Sequence, residues 1–290
     1  MSKSKLSYWK NHPGSAILRL LVWVAAFLTV AVMAFLVGFI LIKGVGNLKP
    51  ELFALEYNSD NASLMPALIN TLIMMLVTIV FQVGIAIILA IMVDNIGRGS
   101  KFFRTVYFFP IVISATALGL LFNLIFLYNK GMMNQLMEKM GHTDLIDWKA
   151  KGIALITMMV PVMWQYVGFY FVILITGLNN ISVDLYEVAS IDGATRWQRI
   201  RYITIPLMRN VICTCVVLAV TGALKVFDLP WVMFPKGMPQ GTTFLTGTYM
   251  YYQTMEAMNV DYGSAIAVVI VALGIITSKV VNTIFKEVDY

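Results

Sequence analysis

Charge is what this chain has least of. Asp, Glu, Lys and Arg make up only 12% of its 290 residues, hydrophobic residues 59%, and the mean hydropathy is +0.80. A soluble domain carries roughly a quarter charged residues, so a water-solvated globular fold is excluded. Histidine is nearly absent: His12 and His142 stand alone, and no H-E-x-x-H zinc-protease pattern exists. The two cysteines, Cys213 and Cys215, lie two apart and face different ways on a helix, so neither a disulfide nor a metal site follows. They read as small apolar wall residues. No G-x-x-x-x-G-K-[ST] phosphate loop and no G-x-S-x-G elbow occurs, so this chain brings no nucleotide site of that kind and no hydrolase nucleophile.

What remains is apolar length. Uncharged windows run over 20–42, 61–93, 105–129, 152–183 and 262–278, each at or above the roughly 17 residues a spanning helix needs. A sixth run, 210–224, ends at Lys225 and resumes to Phe234. The pattern predicts one all-α integral membrane domain over 1–290. Its six spans fall at about 18–42, 67–93, 105–128, 153–178, 207–233 and 262–284. The first span is expected to stay as an anchor, because its apolar core exceeds the roughly 7–15 residues of a signal peptide and no A-x-A-like site follows.

Basic residues orient the bundle. With an inside N-terminus, Lys3, Lys5, Lys10, Arg19, Arg98, Lys101, Arg104, Arg196, Arg199, Arg201, Arg209, Lys279 and Lys286 fall inside. Lys43, Lys49, Lys236 and the four lysines of the 128–151 loop oppose them. The balance predicts cytoplasmic termini and a cytoplasmic 182–206 loop. Topology thus accounts for the formal net charge of +6 without nucleic acid.

That loop is a polar island between apolar runs: Asp184 to Pro206 reads DLYEVASIDGATRWQRIRYITIP. Asp184 with Glu187, and Thr195 with Gln198, have the spacing of capping boxes. Gly193 falls between two short helices, where a positive φ costs it little, and Pro206 stands at the foot of the next apolar helix. The expectation is a helix-turn-helix at the membrane surface.

Glu187, Ala189, Gly193, Ile203, Ile205 and Pro206 also follow the E-A-A-(x3)-G-(x9)-I-x-L-P spacing. In this the chain resembles importer permeases of the ATP-binding-cassette superfamily. Val188 and Ile205 depart from the pattern but stay apolar. Leu185-Tyr186-Glu187 and Ile191-Asp192-Gly193-Ala194 are similar to the branch that takes up maltose, glycerol 3-phosphate and multiple sugars. The likeness continues in Asn70-Thr71-Leu72, Gly97-Arg98-Gly99, Phe102 to Thr105, Phe109-Pro110, Gly131 to Asn134, and Asp261 to Ala265. Lys236-Gly237-Met238-Pro239 stands where relatives often carry G-G-P.

The resemblance implies a bacterial or archaeal cytoplasmic-membrane subunit of a type I importer. A second, similar permease completes the solute pathway, and an extracytoplasmic solute-binding protein delivers a carbohydrate. A separate ATPase dimer, holding ATP and magnesium, docks on a coupling helix between spans four and five. Leu185, Glu187, Ala189, Asp192, Gly193 and Arg196 are the implied coupling residues. This chain itself is then a transport subunit and not an enzyme, with no cofactor or metal of its own.

Two helix faces are candidates for the pathway. Gln165, Tyr166 and Phe169 share one side of span four and offer an amide, a hydroxyl and aromatic faces suited to a sugar. Cys215, Ala219, Gly222 and Val226 form a small-residue stripe in span five, which leaves room for solute or for close helix packing. Lys225 and Asp228, at i and i+3, are expected to pair near the outer boundary. Trp231, Tyr249, Tyr251 and Tyr252 read as interface aromatics. The alternative to an ATP-driven importer is an ion-coupled secondary sugar carrier, for which Lys225 and Asp228 would be the coupling groups. A membrane-embedded enzyme finds no catalytic set here.

Overall fold

The computed structural model describes residues 13–48, 50–53, 64–94, 99–142 and 144–285. Lys3, Lys5, Lys10, His12, Lys49, Gly97, Arg98 and Lys286 lie outside them. Helices α1 (Pro13–Gly46) and α2 (Met65–Asp94) are followed by α3 (Ser100–Val112), α4 (Ala115–Ile125), the short α5 (Met132–Lys139) and α6 (Ala154–Leu178). A hairpin comes next, α7 (Val183–Ile191) and α8 (Arg196–Arg199), the latter running on through a π turn, Ile200–Thr204, to Ile205–Leu207. Then come α9 (Arg209–Lys225), α10 (Asp228–Met233), α11 (Thr246–Tyr251) and α12 (Val260–Ile284). No strand occurs among the described residues.

Five of these stretches are long and apolar enough to cross a membrane: α1, α2, α6, Arg209–Met233 and α12. The sixth predicted span, 105–128, is not one straight helix. It is the pair α3 and α4, bent by 92°. Pro110 closes α3 without an amide to donate, and Ile113 and Ser114 are extended, with ψ of 136° and 132°. The Ile113 carbonyl at the bend accepts from Gln165 Nε2 of α6 at 3.3 Å.

The core gathers on α6, over half of whose spanning window is buried, whereas none of α1's is. Phe171, Leu174 and Ile175 are fully inside. α6 packs on α2 and α3, and at Gly168 the two backbones meet: a Cβ there would overlap the Tyr107 carbonyl of α3. Such small-residue crossings supply the tight packing that lipid cannot drive. Tyr107 and Phe171 meet edge to face beside it, ring centroids 5.3 Å apart.

At the end opposite the hairpin, buried amides tie the loops down. Asn134 donates to the carbonyls of Tyr128 and Ile146, both at 2.9 Å, and its Oδ1 accepts from Trp148 Nε1 at 2.9 Å. Asn70 donates to Thr242 O and Phe244 O at 2.8 and 2.9 Å, and Thr71 Oγ1 accepts the Thr246 amide. These explain two of the motifs read from sequence. Lys149 donates to Asn123 Oδ1 at 2.6 Å; burial lowers its pKa below the usual lysine range, and nearby Asp147 pulls it back up. Tyr249, expected at an interface, is a core residue with 1% exposure, set edge to face against Phe244.

Candidate functional site

Two places carry chemistry. The first is the hairpin. Gly193 turns the chain at φ +76°, and nothing lies within 4 Å of where its Cβ would be. Thr195 and Gln198 form the predicted capping box, Thr195 N donating to Gln198 Oε1 at 2.7 Å. The box predicted for Asp184 and Glu187 is not formed. Ser182, extended at ψ 134°, caps α7 instead, its Oγ accepting from Asp184 N, which puts Asp184 inside the first turn. The two helices are pinned together by Arg199 Nη1 donating to Ser190 Oγ at 2.9 Å and by the Tyr186 and Thr204 hydroxyls, also 2.9 Å apart.

No residue of α7 is buried. Leu185, Val188 and Ile191 follow one another at three-residue spacing and are all exposed, Ile191 by 84%. Trp197 and Tyr202 of the second arm are 68% and 70% exposed. Glu187, Asp192, Gly193 and Arg196 are exposed with them, and Ala189 is half-buried. Apolar side chains clustered on a polar loop mark a contact surface.

The second place is a cavity of about 290 Å³ in the bundle. Gln165, Tyr166 and Phe169 from α6, Ala219 and Gly222 from α9, and Val226 just beyond line it, whereas Cys215, the first residue of the predicted stripe, is fully buried away from it. Gly222 opens on it, with only the Tyr170 hydroxyl, at 3.9 Å, near its missing Cβ. Gln165 is buried, and its Nε2 is engaged at the Ile113 carbonyl. Sequence reasoning missed Thr78 and Gln82 of α2, Ala115 of α4, Tyr170 and Phe227. Gln82 was visible as a lone amide deep in an apolar run; its Nε2 donates to Val162 O at 3.0 Å.

The cavity lies where three helices lose their regularity. α2 has a π turn at Thr78–Val83, and the α3–α4 bend sits beside Ala115. α9 ends at Lys225, with Val226 extended at ψ 125° before α10 begins at Asp228. Non-helical backbone at membrane depth is tolerated only inside protein or along a cavity, and π turns gather at functional sites. Beyond their breaks, α4 and α10 pack on each other, and Asn123 Nδ2 donates to Val232 O at 3.1 Å.

The break also undoes a predicted contact. Lys225 and Asp228 do not pair, because no continuous helix holds them at i and i+3. The ion pairs among the described residues are Lys43–Asp261 and Lys236–Glu256, both at 3.1 Å. Both Lys225 and Asp228 are exposed and line the cavity, within the spanning stretch Arg209–Met233.

An all-helical membrane bundle with a mid-span cavity and an exposed hairpin is the build of a transport subunit. Residues 82–287 match the family of binding-protein-dependent transport system inner membrane components, and the chain belongs to it. It is 32% identical over 224 residues to the probable ABC transporter permease protein YurN of Bacillus subtilis (strain 168), covering 76% of each chain. It is 30% identical to the lactose transport system permease protein LacF of Rhizobium radiobacter, covering 71% of each. The fold matches a chain of the crystal structure of a bacterial ABC transporter that imports the acidic polysaccharide alginate. The TM-score is 0.77 at 20% identity, over 98% of this chain and 100% of that one. The protein is thus a multi-pass inner-membrane permease subunit of a binding-protein-dependent importer, and not its ATPase.

Proposed function

We propose that this chain is one of two permease subunits of an ATP-driven carbohydrate importer, and that the cavity is where solute rests during transport. The observation that carries the reading is the coincidence of three helix irregularities around one cavity that also gathers all the residues picked for sugar chemistry. Tyr166, Phe169 and Phe227 supply aromatic faces for the C–H side of a sugar ring. Ala219 and Gly222 keep the space open. The carbohydrate class draws further support from the lactose permease among its relatives.

The hairpin end faces the cytoplasm on this reading, with both termini on that side. Leu185, Val188 and Ile191 seat on a separate ATPase dimer, while Glu187, Asp192 and Arg196 offer charged contacts and Gly193 permits the close turn. ATP and magnesium belong to that partner. Closure of the ATPases moves the hairpin and with it α6 and α9, which flank it in sequence and wall the cavity, so that the cavity opens alternately to either side. A solute-binding protein loads it from outside, and the second permease closes the pathway's other wall.

Purification in mild detergent, with identification of the co-eluting subunits, tests this. A second permease and an ATPase are expected, with uptake by the reconstituted assembly abolished when ATP hydrolysis is blocked. The unpaired Lys225 and Asp228 would equally serve an ion-coupled carrier, and uptake by the lone chain down an ion gradient would select that alternative.

A further inference from the structure

We propose that Lys225 and Asp228 act as a paired donor and acceptor for the neighbouring hydroxyls of a neutral sugar unit, and so set the charge selectivity of the pathway. The inference rests on the reading of the cavity as the solute's resting place. These two are the charged residues among those lining the cavity, and their charges cancel. Each is exposed there, and neither takes part in an ion pair.

The broken helix explains how both charges are held without neutralising each other. Lys225 closes α9, where the backbone dipole favours a cation, and extended Val226 carries Asp228 onto the next element, α10. Neither arrangement uses the side chains' own hydrogen-bonding capacity. An ammonium only donates and an ionised carboxylate only accepts. Adjacent sugar hydroxyls satisfy both at once, one donating to Asp228 while its neighbour's oxygen accepts from Lys225. Phe227 lies between them in sequence on the same cavity wall and offers its ring to the sugar's C–H face.

A uronate or sugar phosphate would gain at Lys225 but bring a second anion against Asp228. An amino sugar would meet the reverse penalty. A volume of about 290 Å³ stands at the lower end of small-molecule sites, roughly 300–1,000 Å³, so a short stretch of sugar occupies it at a time.

Saturation-transfer NMR on the full chain, purified in lipid nanodiscs with its co-eluting subunits, tests the proposal using maltose, cellobiose, glucuronic acid and glucose 6-phosphate as probes. The neutral disaccharides are expected to bind and the acids not. Lys225→Met and Asp228→Ala should each weaken the neutral sugars by about tenfold, as befits a lost hydrogen bond to a charged group. Asp228→Asn should let glucuronic acid compete. Gly222→Trp, which fills the cavity, should remove all binding. If Gly222→Trp binds as the wild type does, the cavity reading itself falls. If Gly222→Trp abolishes binding but the Lys225 and Asp228 variants keep wild-type affinity and selectivity, the donor–acceptor pair falls and the cavity stands. Absence of signal from both neutral disaccharides in the wild type, or binding of the acids in preference, also overturns the proposal.

Discussion

The two ends of the bundle are built on opposite plans. Opposite the hairpin, polar side chains turn inward: Asn134 and Thr243 are 2% exposed and Thr246 is fully buried, each bonded to loop backbone or to a neighbouring hydroxyl. Met132 and Leu136 of α5, and Met140 just past its end, are exposed there too, but α5 is anchored through Asn134. At the hairpin, apolar side chains turn outward, and caps, a glycine turn and two hydroxyl contacts help to hold the fold. One end finishes its own hydrogen bonding; the other leaves apolar surface for another chain to cover. On the proposed reading, the difference puts stability at the first end and recognition at the second.

The largest expected effect is therefore at Asn134. Asn134→Ala strands the Tyr128 and Ile146 carbonyls and the Trp148 indole N–H without their partner. Leaving such half-buried groups unsatisfied together costs on the order of 3 kcal/mol, which should lower the Tm in detergent by several degrees and open the 128–151 loop to protease. Docking of the ATPase to any surviving folded protein should be unchanged. An unaltered Tm would mean that this end is not where the amides hold the fold.

Gly193→Val should show the converse. The φ of +76° costs an L residue roughly 1–2 kcal/mol, while the open space around it means no packing is disturbed. Membrane insertion and Tm should hold, and co-purification with the ATPase should fall. Gly193→Asn, whose side chain tolerates the left-handed region, should retain most of the docking. Equal loss with Val and Asn would point to side-chain bulk at the contact and not to backbone strain.

The spans were legible because lipid demands long apolar windows, and the hairpin because its turn and cap chemistry is local. Thr195 with Gln198 was read correctly for that reason. Ser182 displaced Asp184 as the cap because both residues qualify by type, and only the extended backbone at Ser182 decides between them. The cavity's makeup was half legible. Tyr166 and Gly222 declared themselves by polarity and size, but Thr78, Gln82 and Ala115 come from distant helices whose contribution depends on how α2 and the α3–α4 bend are placed. The breaks themselves were hidden: a hydropathy window counts residues and does not follow the backbone, so Pro110 and the Lys225–Asp228 pair were their only trace.

The smallest effect sharpens the comparison most, because it asks whether the hairpin holds itself without a partner. Thr195→Ala removes an oxygen that accepts from Gln198 N at 3.4 Å and donates to Gln198 Oε1 at 2.8 Å. Loss of such a cap costs about 1 kcal/mol, a factor of about five in local opening. Hydrogen exchange across 196–204 should quicken by that factor in the isolated chain, and Gln198→Ala should match it, since the box is reciprocal. The amides of α6 and the 128–151 loop should not change. If exchange in the hairpin were already as fast in the wild type as in the variants, its shape would have to come from the partner, and the exposed face of α7 would be ordered only on docking.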